Sequence, residues 1–106
     1  MKRCLITGAS RGIGRAIAVK LASAGFDIIA HGRDEKALAE TLKLIARDGN
    51  RAEAIVADLT QQAGIEKVAA AATKEELSLL VNNAGVAVVK PFTDISDSEW
   101  NTTCLL

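Results

Sequence analysis

The chain has 106 residues, enough for one small domain with its own core. Thirteen basic side chains balance thirteen acidic ones, so the basic excess that is typical of nucleic-acid-binding proteins is absent, and a hydrophobic fraction of 49% argues against intrinsic disorder. We therefore expect a folded protein whose partner is a small molecule.

Cysteine content and hydropathy indicate where the protein works. The two cysteines, Cys4 and Cys104, provide neither a disulfide framework nor a metal-ligand pattern, which is typical of a reducing compartment. The N-terminus leads directly into a strand of about five residues, too short for a signal peptide, and no segment reaches the roughly 18 apolar residues of a membrane span. We expect a cytoplasmic protein that contacts no membrane.

Short apolar runs alternate with longer helical patterns, which predicts an α/β fold in which right-handed crossover helices connect parallel strands. The first strand is expected at residues 3–7 and the first helix at residues 12–24, with Gly25 ending the helix. Apolar residues three and four positions apart should form the face that packs on the sheet. They are Ile13, Ile17, Leu21 and Ala24.

The second unit has a strand at residues 27–31 and a helix at residues 34–48. Asp34 is the expected N-cap, and Gly49-Asn50 should close the helix. The expected buried stripe comprises Leu38, Leu42 and Ile45.

The third unit has a strand at residues 52–56 and a helix that begins after Thr60, its expected N-cap, and runs to about residue 73. A fourth strand follows at residues 77–81. Three and a half strand–helix units of this kind predict a Rossmann-type, doubly wound parallel sheet, truncated after the fourth strand. Residues 1–106 would then be one incomplete domain.

The pattern changes after the fourth strand. Asn82-Asn83-Ala84-Gly85 has the composition of a turn, and residues 86–91 are expected to form a loop. Ser96 and Glu99 have the spacing of a capping box, with Trp100 placed to pack, so a further helix should begin there.

The turn after the first strand reads Thr7-Gly8-Ala9-Ser10-Arg11-Gly12-Ile13-Gly14. A pyrophosphate needs backbone N–H groups directed at one point and the positive end of a helix. Gly8 can adopt a positive φ, Gly12 leaves room for phosphates, and Gly14 allows close packing of helix on sheet. Because this pattern follows a strand and opens a helix, it predicts dinucleotide binding rather than a merely flexible turn.

The spacing Gly-x-x-x-Gly-x-Gly, together with Asp58-Leu59 and Asn82-Asn83-Ala84-Gly85, resembles the classical short-chain dehydrogenase/reductase family. The resemblance covers essentially the whole chain and corresponds to the N-terminal, cofactor-binding half of that family. It implies an oxidoreductase that acts on a carbonyl/alcohol pair with a nicotinamide cofactor. Taken singly, Asp58 could be a local cap and the asparagine segment a plain turn; their joint occurrence at strand ends favours a site.

The resemblance also implies roles for individual residues. Asp58 would bind the adenine edge, Leu59 would line the adenine pocket, and the segment from Asn82 to Gly85 would stabilise the central strand and run beside the cofactor ribose. The cofactor-binding set implied in this way is Gly8, Ser10, Arg11, Gly12, Ile13, Gly14, Arg33, Asp58, Leu59, Asn83, Ala84 and Gly85.

The end of the second strand bears on the choice of cofactor. An acidic residue there binds the 2′-hydroxyl of NAD, whereas the 2′-phosphate of NADP requires positive charge. Gly32 stands where the family's NAD-preferring members have Asp, and Arg33 and Arg11 can bind phosphate. This favours NADP(H), and NAD(H) stays open because both arginines could be solvated and Asp34 could partly neutralise Arg33. His31, at the same strand end, is expected to be structural or adjacent to the cofactor rather than catalytic.

Catalytic residues cannot be assigned. The family uses a tyrosine with a lysine four positions later, a serine and an asparagine for proton transfer, and this sequence contains no tyrosine. We therefore expect the 106 residues to bind the cofactor without catalysing the reaction. The fourth strand would form an exposed sheet edge, so marginal stability or association with another chain is expected. Full-length family members form homo-oligomers, which is the expectation here.

Three alternatives to an oxidoreductase remain. The chain could be a dinucleotide-binding module without chemistry, or an inert truncated product. A Rossmann-type methyltransferase is disfavoured, because it would prefer an acidic residue near Gly32 to hold the cofactor ribose, and Arg33 opposes this.

Overall fold

The structure is a computed structural model that describes residues 2–46 and 49–84. Its strands are β1 (Arg3–Ile6), β2 (Asp27–Gly32), β3 (Ala52–Val56) and β4 (Leu79–Val81). Its helices are α1 (Gly12–Ser23), α2 (Glu35–Ala46) and α3 (Gln62–Thr73). The strands pair in parallel in the order β3-β2-β1-β4, which confirms the α/β prediction.

Helices cover both faces of the sheet. One core cluster joins Cys4 and Ile6 of β1 to small and apolar residues of α1 and α2, including Ala18 and Leu38. The other joins Leu5 and the neighbouring strands to Val68 of α3. Since α1 and α2 lie on one face and α3 on the other, the direction of winding reverses at β1, between β2 and β4. Doubly wound sheets bind ligands at such a switch point, outside the carboxyl ends of the strands.

The first two strands are buried along their whole length, as expected of parallel strands that are covered on both faces. The predicted bounds differ from the observed ones by one or two residues. β1 ends at Ile6 rather than Thr7, β2 extends to Gly32, and β4 begins at Leu79 rather than at residue 77.

The face of α1 that packs on the sheet differs from the prediction. Its buried residues are Gly14, Ala18 and Ala22, while Ile13 is 73% exposed and Ala24 follows the helix as its exposed C-cap. Two of the predicted apolar residues, Ile17 and Leu21, pack at the margin of the core. The small side chains let α1 approach the sheet closely. Each buried residue therefore lies one position after the large apolar residue that was predicted to pack there.

Asp34 caps α2 as predicted, because its Oδ1 accepts a hydrogen bond from the backbone N–H of Ala37 at 3.1 Å. Leu38 and Ile45 are fully buried. The third fully buried position of α2 is Thr41, whereas Leu42 is only partly buried. Thr41 can be buried because its hydroxyl donates to the carbonyl of Ala9 at 2.8 Å.

The prediction that Thr60 caps α3 is wrong. The helix begins at Gln62, with Gln61 at the N-cap position. The amide and the hydroxyl of Thr60 both donate to Oδ1 of Asp58, at 2.9 and 2.6 Å, so Thr60 belongs to a side-chain-stabilised turn before the helix.

Several predictions lie outside the described residues: the loop at residues 86–91, the capping box of Ser96 and Glu99, the packing of Trp100, and Gly85. Within the part of the chain that the structure describes, no helix combines the length and apolarity needed to cross a bilayer.

Candidate cofactor site

A cleft of about 490 Å³ lies at the carboxyl ends of the strands, at the switch point beside β1. Its walls are the turn after β1, the end of β2, the loop after β3 and the residues after β4. The lining residues are Gly8, Ser10, Arg11, His31, Gly32, Arg33, Asp34, Asp58, Leu59, Thr60, Asn83 and Ala84.

The glycine turn leads into α1 at one end of this cleft. Gly8 and Gly12 both have a positive φ, +66° and +61°, which favours glycine over other residues. The first hydrogen bond within the helix runs from the N–H of Arg15 to the carbonyl of Arg11. N–H groups earlier in a helix have no acceptor within the helix, so the start of α1 can bind an anion.

Gly14 is buried where α1 crosses the glycine turn. A Cβ at this position would overlap the carbonyl oxygen of Gly8 and would lie 2.6 Å from Nδ2 of Asn83. The close approach at this glycine is therefore to the glycine turn and to Asn83, whereas the prediction placed it against the sheet.

Thr7 joins the turn after β1 to the residues after β4. Its hydroxyl oxygen accepts hydrogen bonds from the backbone N–H groups of Asn83 and Ala84, both at 3.0 Å. Asn83 Nδ2 in turn donates to the carbonyl of Gly8 at 3.1 Å. Thr7 was missing from the predicted site set; its place at the start of the glycine pattern, directly after a strand, was the available signal.

The sequence also matches a known protein family. A model of the short chain dehydrogenase family matches residues 2–105. The chain belongs to the short-chain dehydrogenase family. The match corresponds to the N-terminal region of these proteins.

Individual relatives support this assignment. The chain is 38% identical to the short-chain dehydrogenase/reductase eriH of Hericium erinaceus, over 93% of this chain and 42% of that protein. Among solved structures, the bulky-bulky ketone specific alcohol dehydrogenase from Comamonas testosteroni superposes with a TM-score of 0.93 at 27% identity, over 100% of this chain and 43% of that one. The L-sorbose reductase from Gluconobacter frateurii, solved with NADPH and L-sorbose, gives 0.88 at 29% identity, over 95% and 40%.

The chain spans about 40% of the length of the curated relatives that it matches. The fold and the family apply to the chain directly. Substrate and overall reaction concern the whole length of those relatives.

Two arginines flank the cleft, and each faces a carboxylate. Arg11 Nη2 lies 2.9 Å from Asp34 Oδ2, and Arg33 Nη1 lies 3.9 Å from Asp58 Oδ1. Both arginine side chains are about two thirds exposed or more, at 70% and 67%. Exposed pairs of this kind are weak, so an anionic ligand can compete for both guanidinium groups.

Both carboxylates are held in the ionised form. The backbone N–H of Ala37 is the main cause that lowers the pKa of Asp34, and Arg11 contributes. Hydrogen bonds from the hydroxyl and amide of Thr60 lower the pKa of Asp58. Each arginine therefore faces a fixed negative charge at neutral pH.

Gly32 lies at the end of β2, next to the glycine turn. A Cβ there would lie 2.9 Å from Cβ and 3.1 Å from Oγ of Ser10. A side chain at position 32 would thus contact the turn, at the place where an acidic residue is expected in an NAD site.

Arg15 and Thr41 hold the glycine turn against α2, which the sequence did not predict. Arg15 Nε donates to Thr41 Oγ1 at 2.9 Å, and Nη2 donates to the carbonyls of Ser10 and Ala37. An arginine in an amphipathic helix is usually solvated, so only the tertiary contact reveals this role.

Most of the predicted site residues meet in the cleft: Gly8, Ser10, Arg11, Arg33, Asp58, Leu59, Asn83 and Ala84. Gly12 and Ile13 are exposed at the start of α1 but do not line the cleft, and Gly14 is buried beside it. Gly85 lies outside the described residues. The binding role of each of these residues stays a prediction.

Proposed function

We propose that this chain is the NADP(H)-binding part of a short-chain oxidoreductase that interconverts a carbonyl and an alcohol. The observation that carries the proposal is the end of β2, where position 32 is a glycine rather than an acidic residue and Arg33 and Arg11 supply positive charge. The L-sorbose reductase to which the chain is similar was solved with NADPH, which supports the same choice.

In this proposal, each part of the dinucleotide binds to a different part of the cleft. The start of α1 would hold the pyrophosphate through backbone N–H groups. Arg11 and Arg33 would bind the 2′-phosphate, Asp58 and Leu59 would contact the adenine, and Asn83 and Ala84 would lie beside the ribose next to the nicotinamide. When bound, the nicotinamide would supply or accept a hydride. The residues of this chain would bind and orient the cofactor.

Catalysis is proposed for the full-length protein. The 106 residues of this chain contain no tyrosine, and they cover about 40% of the relatives' length. A single cofactor-binding half-domain over residues 1–106, and a homo-oligomeric full-length protein, stay predictions.

Calorimetric titration of the chain with NADPH and with NADH tests the cofactor proposal. Tighter binding of NADPH is expected, because only NADPH has a phosphate for the two arginines. Equal affinities, or a preference for NADH, would contradict the choice of NADP(H). A folded sample that binds neither dinucleotide would overturn the cofactor function altogether.

Arg33→Ala is expected to weaken NADPH binding by roughly 10- to 100-fold, the range of one hydrogen bond to a charged group, and to leave NADH binding nearly unchanged. Calorimetry with both cofactors measures the difference. Arg51→Ala is the matched control, because Arg51 is 72% exposed and pairs with Glu75, away from the cleft. A similar loss in both variants would show that net charge, not Arg33 itself, determines affinity.

Asp34→Asn is expected to strengthen NADPH binding about two- to fivefold, because the exposed carboxylate no longer competes for Arg11. Asparagine keeps the N-cap function, so α2 should stay intact. Titration at low and high salt measures the effect, which should shrink as salt screens the charges. Glu35→Gln removes the same charge one residue away; an equal gain there would rule out a specific Arg11–Asp34 competition.

A further inference from the structure

His31 is the only histidine of the chain, and it is 2% exposed at the end of β2. Its Nδ1 lies 3.1 Å from the backbone nitrogen of Gly8, and its Nε2 lies 2.8 Å from the carbonyl oxygen of Ala57. Its own carbonyl accepts a hydrogen bond from the N–H of Ala9 at 2.7 Å. One buried residue therefore contacts both the glycine turn and the loop that leads to Asp58.

These partners determine the protonation state of the ring. The N–H of Gly8 can only donate, so Nδ1 must accept and carries no proton. The carbonyl of Ala57 can only accept, so the proton is on Nε2, which donates. Both ring nitrogens are satisfied in the neutral imidazole and only in this tautomer.

The two segments that His31 joins have different tasks in the proposed cofactor site. Gly8 belongs to the turn that leads to the start of α1, where the pyrophosphate would bind. Ala57 directly precedes Asp58, which would contact the adenine. The side chain spans 23 residues of sequence in one direction and 26 in the other. The backbone of β2 also contacts both segments, because the carbonyls of His31 and Gly32 accept hydrogen bonds from the N–H groups of Ala9 and Ala57 at 2.7 and 3.1 Å. The imidazole adds a side-chain link between them beneath the cleft.

We propose that His31 is a positioning residue for the dinucleotide, which in its neutral form holds the glycine turn and the Asp58 loop at the separation that the cofactor requires. This inference rests on the proposed cofactor function. It adds that cofactor affinity depends on the protonation of a residue that need not touch the cofactor.

Protonation removes one of the two contacts. A proton on Nδ1 points at the N–H of Gly8, so the hydrogen bond is replaced by two opposed donors and the turn must move. The charged groups near the ring are Arg33, which disfavours the imidazolium, and Asp58, which favours it. Burial is the main cause that lowers the pKa of His31 below its ordinary value of 6.5. Because the folded protein disfavours the protonated form of His31, the hydrogen bond from Gly8 to Nδ1 is intact at neutral pH. It is lost as the pH falls below 6.5 and passes the pKa of His31 in the folded state.

Proton NMR of the free protein tests the contact without any cofactor. A single histidine gives one unambiguous imidazole signal. We expect its midpoint below pH 6.5, and we expect the amide of Gly8 to shift with the same midpoint. A midpoint at the ordinary value, or a Gly8 amide that does not respond when the ring titrates, would overturn the contact.

Binding of NAD⁺ at about pH 7.5 and at a pH below the midpoint that NMR gives for His31 tests the functional part, since the ring becomes charged between these two pH values and the diester pyrophosphate of NAD⁺ does not change. Affinity for the wild-type chain should fall at the lower pH. His31→Asn places an amide oxygen where Nδ1 stands and cannot be protonated, but it does not replace the contact of Nε2 with Ala57. Its affinity should therefore be about threefold below that of wild type at pH 7.5, and it should not change with pH. His31→Leu leaves the Gly8 N–H without an acceptor and should bind about tenfold more weakly at both pH values.

The outcomes separate the two proposals. A pH-dependent affinity that persists unchanged in His31→Asn would overturn the positioning role. If NAD⁺ and NADPH fail to bind at either pH, the cofactor function falls, and with it the positioning role, while the NMR titration still decides whether His31 holds the glycine turn. Circular dichroism of each variant shows whether a loss of binding reflects unfolding; the asparagine variant keeps the test decisive if the leucine variant does not fold.

Discussion

Gly14→Ala is expected to lower the free energy of unfolding by at least about 3 kcal/mol, the upper part of the range for overpacked positions. The added methyl group would overlap the carbonyl oxygen of Gly8 and would lie 2.6 Å from the side-chain amide of Asn83. The first of these is backbone, which cannot rotate away. Relief requires α1 to move off the sheet, which separates the buried contacts of Ala18 and Ala22.

Denaturant unfolding followed by circular dichroism measures this change, with Gly12→Ala as the matched control. A Cβ at Gly12 has nothing within 4 Å, although φ is +61°, so only the backbone conformation is strained, at a cost of about 1–2 kcal/mol. The two variants make the same chemical change two residues apart. Equal destabilisation would show that α1 does not depend on close contact at Gly14.

Much of the fold could be predicted, because each element of a doubly wound sheet has a local pattern. Strands covered on both faces appear as short apolar runs, and Asp34 marks the start of α2 by its side-chain chemistry. The face of α1 could not be assigned correctly from apolar spacing alone. Ile13 is the larger hydrophobic residue, but the buried face of α1 consists of Gly14, Ala18 and Ala22, since close approach selects for small volume rather than hydrophobicity.

The candidate site could be predicted in outline for a similar reason. Residues at the carboxyl ends of parallel strands converge, so Arg33, Asp58 and Asn83 come together although they are far apart in sequence. The contacts that support them were not predictable. The contacts of Arg15 with α2 and those of the His31 ring join residues 22 to 26 positions apart, and neither residue lies in a pattern that indicates a partner.

Gly32→Asp is expected to reverse the cofactor preference, with NADPH binding roughly a hundredfold weaker. An aspartate at the end of β2 would face the position proposed for the 2′-phosphate, where two unit charges about 5 Å apart repel by about 3 kcal/mol at an effective dielectric constant of about 20. The same carboxylate can accept a hydrogen bond from the 2′-hydroxyl of NADH, so binding of NADH should be kept or improved.

Gly32→Ala is the control for this variant, because any side chain at position 32 must fit beside Ser10, whose Cβ would be 2.9 Å away. The Oγ of Ser10 can rotate away, but its Cβ moves only with the backbone of the glycine turn, so the alanine variant should lose affinity for both cofactors to a similar extent. Titration of both variants with both dinucleotides then separates size from charge. A reversal of the cofactor preference that is seen only with aspartate would show that charge at the end of β2 determines the choice of cofactor. An equal loss of NADPH affinity with alanine would show that the space beside Ser10 determines it. The role proposed for the absence of an acidic side chain at position 32 would then be wrong.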